Sequence, residues 1–144
     1  MESKINELAR ALSVAQGQMV PAELTGYNNH RKYKYAKLSD IVESARKPLA
    51  ENGLSIVQLF ESAGEQDPTG VLVTKLLHES GQEIESRLAL LPVEDYHALG
   101  SATTYSRKYA LAAMLNIIAQ EDDDGEAAMT KATGPSAGAK SRPT

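Results

Sequence analysis

The sequence predicts an α+β domain in which two amino-terminal helices and a long carboxy-terminal helix pack on a three-stranded antiparallel sheet. Three patterns predict it. Apolar residues recur at helical spacing in the first fifty positions, strand-like apolar stretches bracket turn residues between Leu54 and Leu91, and Leu99 to Gly125 reads as a long helix with an acidic end. A chain of 144 residues accommodates one domain, expected over residues 1–125, and a tail over 126–144. The tail is rich in Ala, Gly, Ser, Pro and Thr, the composition of a disordered linker.

Taken in order, residues 3–19 put Ile5, Leu8, Ala9, Leu12 and Met19 on one stripe, an amphipathic helix that Pro21 closes. Next comes YNNHRKYKYAKL, from Tyr27 to Leu38, where three tyrosines alternate with Arg31, Lys32, Lys34 and Lys37. Rings offer stacking faces worth roughly 1–3 kcal/mol per base, and interleaved cations neutralise phosphates, so the stretch fits a single-strand binding platform. The same residues also suit a solvated loop or a lysine-guarded edge strand. Ser39 is placed to cap a second helix, Asp40 to about Asn52, with Ile41, Val42, Ala45 and Leu49 inward and Gly53 at the stop. Pro48 lies inside that span, and Arg46 and Lys47 fall on its outward side.

Strands are expected at Leu54–Phe60, Val71–His78 and Gln82–Leu91, the last two joined by a tight Ser80-Gly81 turn. Pairing Val71 with Leu90, Val73 with Leu88 and Leu77 with Ile84 gathers six apolar residues on one face. Thr74, His78, Glu85 and Arg87 take the other. Arg87 could reach a phosphate there, but a salt bridge to a glutamate is the plainer role. His78, near Glu79, Glu83 and Glu85, lacks convergent ligands and reads as a turn residue.

Glu94 and Asp95 suit the amino end of the last helix. On it Ala98, Ala102, Tyr105, Tyr109 and Ala112 form one stripe, with Arg107 nearly opposite and flanked by Thr103, Thr104 and Lys108. The tyrosine stripe is expected to pack and the basic ridge to meet an anion. Residues 110–119 are apolar all round, predicting burial between the sheet and another element or subunit. Glu121 to Glu126 then supplies five acids. An acidic run is unfavourable at a helix carboxy end, so it is expected to face basic residues of the same or a neighbouring subunit.

The string GSATTYSRKYALAAMLNIIAQEDDDG resembles the signature of the ERF (essential recombination function) family of phage single-strand annealing proteins. That signature has a G-S-x-x-T-Y-x-R-[RK]-Y-x-L core and a D-D-D-G terminator. YKYAKLSDIVESARKPLAENGLSIVQ and VTKLLHESGQEIES are similar to the family's earlier segments, in the same order, so the resemblance spans about residues 5–125. It departs at Gln82, where the acidic residue usually comes one position sooner, and at Lys108, often Arg. The resemblance implies an annealing-protein-like fold and an oligomer, a ring or helical filament, that binds single-stranded DNA and pairs it with a complement. Arg31, Lys32, Tyr33, Lys34, Tyr35, Lys37, Thr103, Thr104, Arg107 and Lys108, with Lys75 or Arg87, are the expected DNA-binding residues. A phage exonuclease or host single-strand binding protein is the expected further partner.

Composition narrows the chemistry. The chain has no cysteine, which removes disulfides, thiolate metal sites and cysteine nucleophiles. No apolar run reaches the ~20 residues of a membrane span, and the first ten residues lack a signal-peptide layout, so a cytoplasmic protein without membrane contact is expected. The net charge of −4 speaks mildly against a nonspecific polycation. No P-loop, dinucleotide fingerprint or Ser-His-Asp arrangement occurs, so the expectation is a non-enzyme that anneals without ATP, with no cofactor and no metal. Two other classes stay open. Asp122, Asp123 and Asp124 invite a divalent-metal nuclease reading, although adjacent residues cannot all converge on one ion pair. A protein-binding recombination adaptor would use the helix as its interface.

Overall fold

The computed structural model describes residues 4–65 and 67–119. Along the chain come α1 (Asn6–Gln18), β1 (Gly26–Asn28), β2 (Tyr33–Tyr35), α2 (Leu38–Glu51), β3 (Leu54–Gly64), β4 (Asp67–His78), β5 (Glu83–Ala89) and α3 (Tyr96–Leu115). β3, β4 and β5 form an antiparallel sheet in that order, while β1 and β2 pair as a separate hairpin. The expected α+β class, with three helices and a three-stranded antiparallel sheet, is present. The hairpin is an addition, because the tyrosine-lysine stretch folds as two short strands around a turn at residues 29–32.

One apolar cluster holds the helices to the sheet. Leu8 and Ala15 of α1, Ile41, Ala45 and Leu49 of α2, Leu54 and Leu76 of the sheet, and Leu111 and Leu115 of α3 are buried together. Full burial of a leucine is worth roughly 1.5–3 kcal/mol, so Leu8, Leu76 and Leu115, each no more than 1% exposed, are principal supports. The stripe of α1 is rotated from the expected one. Ile5 and Ala9 are exposed, and Ala11, Leu12 and Met19 join Leu8 and Ala15 in packing. Gln82 holds this rotation: its carboxamide oxygen accepts the Leu8 N–H at 2.9 Å, satisfying one of the orphan donors of the first turn.

α2 begins one residue before the expected cap, so Ser39 lies inside the helix. The capping group is Asp40, whose carboxylate accepts the Lys37 N–H at 2.8 Å and the Thr25 hydroxyl at 2.7 Å. Arg46 and Lys47 are exposed and paired to Glu43 and Glu51 on the same helix, surface pairs of small energetic weight.

The sheet differs from expectation in length and in register. β3 runs to Gly64 and β4 starts at Asp67, so most of the expected SAGEQDPTG loop is paired strand with an irregularity between Ser62 and Gly64. Val71 pairs with Ala89, Val73 with Arg87 and Leu77 with Glu83, one residue from the expected partners. The turn explains the slip. The His78 N–H bonds the Gln82 carbonyl at 2.9 Å across three residues, with Gly81 at φ 95°. A glycine in left-handed space lengthens the loop beyond the two residues assumed, and one residue turns a strand over. Ile84 and Leu88 therefore join Leu76 and Leu72 on the helix side, and Glu85 and Arg87 go to the far side with Lys75 and Val73. His78 takes the turn role expected of it, its Nδ1 lying 2.8 Å from the Ser80 hydroxyl.

α3 starts as expected, with Asp95 as N-cap accepting the Ala98 N–H at 2.7 Å. It ends at Leu115 rather than near 119, because Asn116 adopts a left-handed conformation (φ 56°, ψ 43°), a common helix terminator. The chain then turns back and Ala119 forms a parallel bridge with Ala22, the Ala22 N–H donating to the Ile118 carbonyl at 2.9 Å. Asp122–Asp124 and the tail 126–144 lie outside the described residues.

Candidate nucleic-acid interface

The faces of α3 are arranged opposite to the expectation. Tyr105 and Tyr109, read from sequence as the packing stripe, are 55% and 57% exposed, and Tyr96 is 90% exposed. Leu111 and Leu115 are buried instead, and four residues before Leu111 the half-buried Arg107 lies over the sheet. Gln58 receives it: its side-chain oxygen accepts Arg107 Nε–H at 3.1 Å, while its amide donates to the Arg107 carbonyl at 3.2 Å and to the Thr74 hydroxyl at 3.1 Å. The two leucines, not the larger rings, decide which side of the helix is buried. An arginine can occupy the margin of that side because its stem is apolar.

One residue on, Lys108 points elsewhere. Its ammonium donates to the Ala36 carbonyl at 3.1 Å and lies 5.2, 4.9 and 5.3 Å from the ring centroids of Tyr35, Tyr105 and Tyr109. Burial among these groups pulls its pKa below the ordinary lysine value, while the ring faces favour the charged form. The Tyr109 phenol is pushed up, first by its own burial and then by Tyr105 and Tyr33 nearby. Rings also touch one another, Tyr105 with Tyr109 at 5.4 Å and Tyr33 with Tyr35 edge-on at 6.2 Å. Gly26 makes room for this packing, since a Cβ there would stand 2.5 Å from the Tyr35 ring.

Lys108 thus joins the two stretches that the sequence singled out separately. Between them runs an open groove of about 700 Å³, lined among others by Tyr35, Lys37, Tyr96, Thr104, Tyr105 and Lys108. All six tyrosines of the chain lie on the hairpin or on α3. Arg31 and Lys32 occupy the hairpin turn, where Asn28 accepts the Arg31 N–H at 2.8 Å and Lys32 takes φ 61°. Lys34 is exposed in β2.

Other expected site residues stand apart from this groove. Arg107 lines a different one, about 370 Å³, between α2, β3 and α3. Lys75 lies on the far face of the sheet because its neighbour Leu76 faces the helices, and the register puts Arg87 there beside Val73. There Lys75 pairs across with Glu85, and Arg87 bonds Glu61 at 2.5 Å, with Glu85 at 3.8 Å. Thr103 is half-buried, whereas Thr104, which does line the groove, donates its hydroxyl to the Gly100 carbonyl at 3.2 Å. Sequence reasoning missed Tyr96 and Tyr105 as groove residues and Tyr109 as a neighbour of Lys108. The placement of Lys108 three residues after one tyrosine and one before another was the available signal.

Among the described residues no group of three or more His, Cys, Asp or Glu is disposed to hold a metal ion, and no helix is long and apolar enough to cross a membrane. A family model described as "ERF superfamily" matches residues 8–144. No curated protein and no solved structure matches the chain.

Proposed function

The chain belongs to the ERF superfamily, and from that premise we propose that it binds single-stranded DNA and anneals it to a complementary strand without nucleotide hydrolysis. Family membership supports a recombination role of the phage type. One observation carries the finer reading, namely the Lys108 ammonium set among three tyrosine rings where the hairpin meets α3. Rings exposed beside cations suit a strand whose phosphates need countercharge and whose bases need sequence-tolerant contacts. Lys32, Lys34, Lys37 and Lys108 take the phosphates in this reading, while Tyr35, Tyr96 and Tyr105 meet bases or sugars. Sequence is read by base pairing alone, since contacts to phosphate carry no code.

Few cations line one groove, so affinity has to accumulate over many copies on one strand, the effective-concentration logic of linked sites. Two features support assembly of copies head to tail into a ring or filament. Among the described residues β3 and β5 are both open edges of the sheet, and Phe60 and Leu88, on one cross-strand row through Leu72, are both exposed. Light scattering should report a mass of many chains, and a monomer at working concentration contradicts the assembly.

Fluorescence anisotropy with a labelled oligothymidine, followed by annealing of two complementary oligonucleotides without nucleotide, tests the function. We expect binding that weakens steeply with added salt, as released counterions require, and annealing faster than the spontaneous rate. Absence of both refutes it. Strands shortened in the presence of magnesium would point to nuclease chemistry instead.

A further inference from the structure

The parallel bridge between Ala22 and Ala119 sets a direction as well as a contact. At Ala119 the chain runs in the same direction as it does at Ala22, where the next residues lead to β1 and the basic hairpin. Two positions later in the sequence begins the acidic run Glu121–Glu126, with five carboxylates in six residues. Among the described residues β1 is paired only with β2, so its other edge is open to a further strand. If the ladder begun at Ala22 is continued in register, position 123 falls beside Gly26 and position 124 beside Tyr27. Tyr27 is in turn the partner of Lys34 on β2. Adjacent strands lie about 4.8 Å apart, which sets Asp124 and Lys34 on one cross-strand row about 10 Å apart, within side-chain reach.

Charge selects the same destination. At the Ala22 end the neighbours are Glu23 and Asp40. Glu23 repels the run, and the Asp40 carboxylate is already occupied by Thr25 and the Lys37 N–H. The exposed cations along the path include Lys37, whose N–H shares the Asp40 carboxylate with Thr25, and then Lys32 and Lys34 of the hairpin. We propose that Glu121–Glu126 docks along β1 of its own hairpin, opposite Lys32 and Lys34, and holds that basic surface until a nucleic acid strand displaces it. The carboxylates are then a tethered stand-in for phosphates. A tether of a few residues supplies a local concentration in the millimolar range, enough to compete with a weak single-copy site and to yield to a strand bound by many copies. The displacement rests on the single-strand reading above, whereas the contact rests only on the bridge, the open edge and the charges.

Zero-length carbodiimide coupling of the intact protein tests the contact. Mixing isotopically light and heavy chains distinguishes links within a chain from links between chains. Amide links from Lys32 or Lys34 to Glu121–Glu126 that join light to light and heavy to heavy are expected, and they should disappear when oligothymidine is added. No link to the hairpin, or links only between light and heavy chains, overturns the proposal. The triple substitution Asp122→Asn, Asp123→Asn, Asp124→Asn tests the competition. At low salt it should tighten oligothymidine binding about threefold or more, and the gain should shrink as salt rises and screens the contact. Unchanged or weaker binding overturns the displacement. A protein that couples as expected but binds no DNA sinks the single-strand reading and leaves the contact standing.

Discussion

Arg107 and Lys108 are adjacent on α3, both basic, yet they serve different sides of the helix. A step of one residue turns the side chain by about 100°, enough to carry one cation over the sheet and the next out to the hairpin. Arg107 is bound to Gln58, which also grips the helix backbone and Thr74, so it stitches helix to sheet. Lys108 bonds a single carbonyl and otherwise faces rings, so its charge stays available to an anion entering the groove. Among the described residues neither is paired with a carboxylate, in contrast to Arg87 on the far face of the sheet. Two equal charges in a motif are therefore not two equal ligands.

The largest effect should come from removing what both positions stand on. Leu115→Ala opens a cavity at a fully buried site and should cost about 2–5 kcal/mol, read as a lower midpoint in chemical denaturation, with both functions lost together. Next, Lys108→Met keeps a stem among the rings but removes the charge. It should weaken oligothymidine binding about tenfold at low salt and flatten the salt dependence, with about 1 kcal/mol of stability lost with the Ala36 bond. Arg107→Met should leave affinity within about twofold, although the loss of its bond to Gln58 costs a similar ~1 kcal/mol. Equal loss of affinity in the two variants would break the distinction, and would mean that the groove beside Gln58 also carries DNA.

Two smaller effects depend on pH. Because burial lowers the Lys108 pKa below 10.5, its charge is shed as pH rises through that lowered value, earlier than from an ordinary lysine. The wild-type advantage over Lys108→Met in DNA affinity should therefore close below pH 10.5, as anisotropy titrations would show. For Asp40, partial burial raises the pKa, but hydrogen bonds from the Lys37 N–H and from Thr25 outweigh it and leave the carboxyl below 3.8. Its contribution is fully present above 3.8 and is lost as pH falls through the lowered folded value. Asp40→Asn should narrow the stability gap between pH 6 and pH 3 in thermal melts followed by circular dichroism. An unchanged gap would mean that the cap of α2 does not rest on this ionisation.

Much of this architecture is written in local patterns. Helix punctuation by Pro21, Gly53 and Asp95 and the turn at Ser80-Gly81 mark where elements end, because these residues act on the backbone nearest to them. What the sequence misplaced depends on partners far away in the chain. The sheet register hinged on whether the turn holds two residues or three, and that one residue moved Arg87 from the face of Thr74, where it was expected, to the face of Val73. The rotation of α1 is held by Gln82, more than seventy residues away, and that of α3 by Leu111 and Leu115 meeting α1, α2 and the sheet. The tyrosines looked like core because aromatic rings usually are; here the smaller leucines won the interior and left the rings outside. The basic tyrosine stretch and the Arg-Lys pair were each visible, but their meeting through Lys108 and Ala36 was not.

The proposed site of DNA contact is tested most directly by irradiating the protein mixed with an oligonucleotide carrying iodouracil and mapping any adducts by mass spectrometry. If the strand lies in the groove between the hairpin and α3, adducts form at Tyr35, Tyr96 or Tyr105. Adducts on α1 or at His78, with none at these tyrosines, would contradict the account.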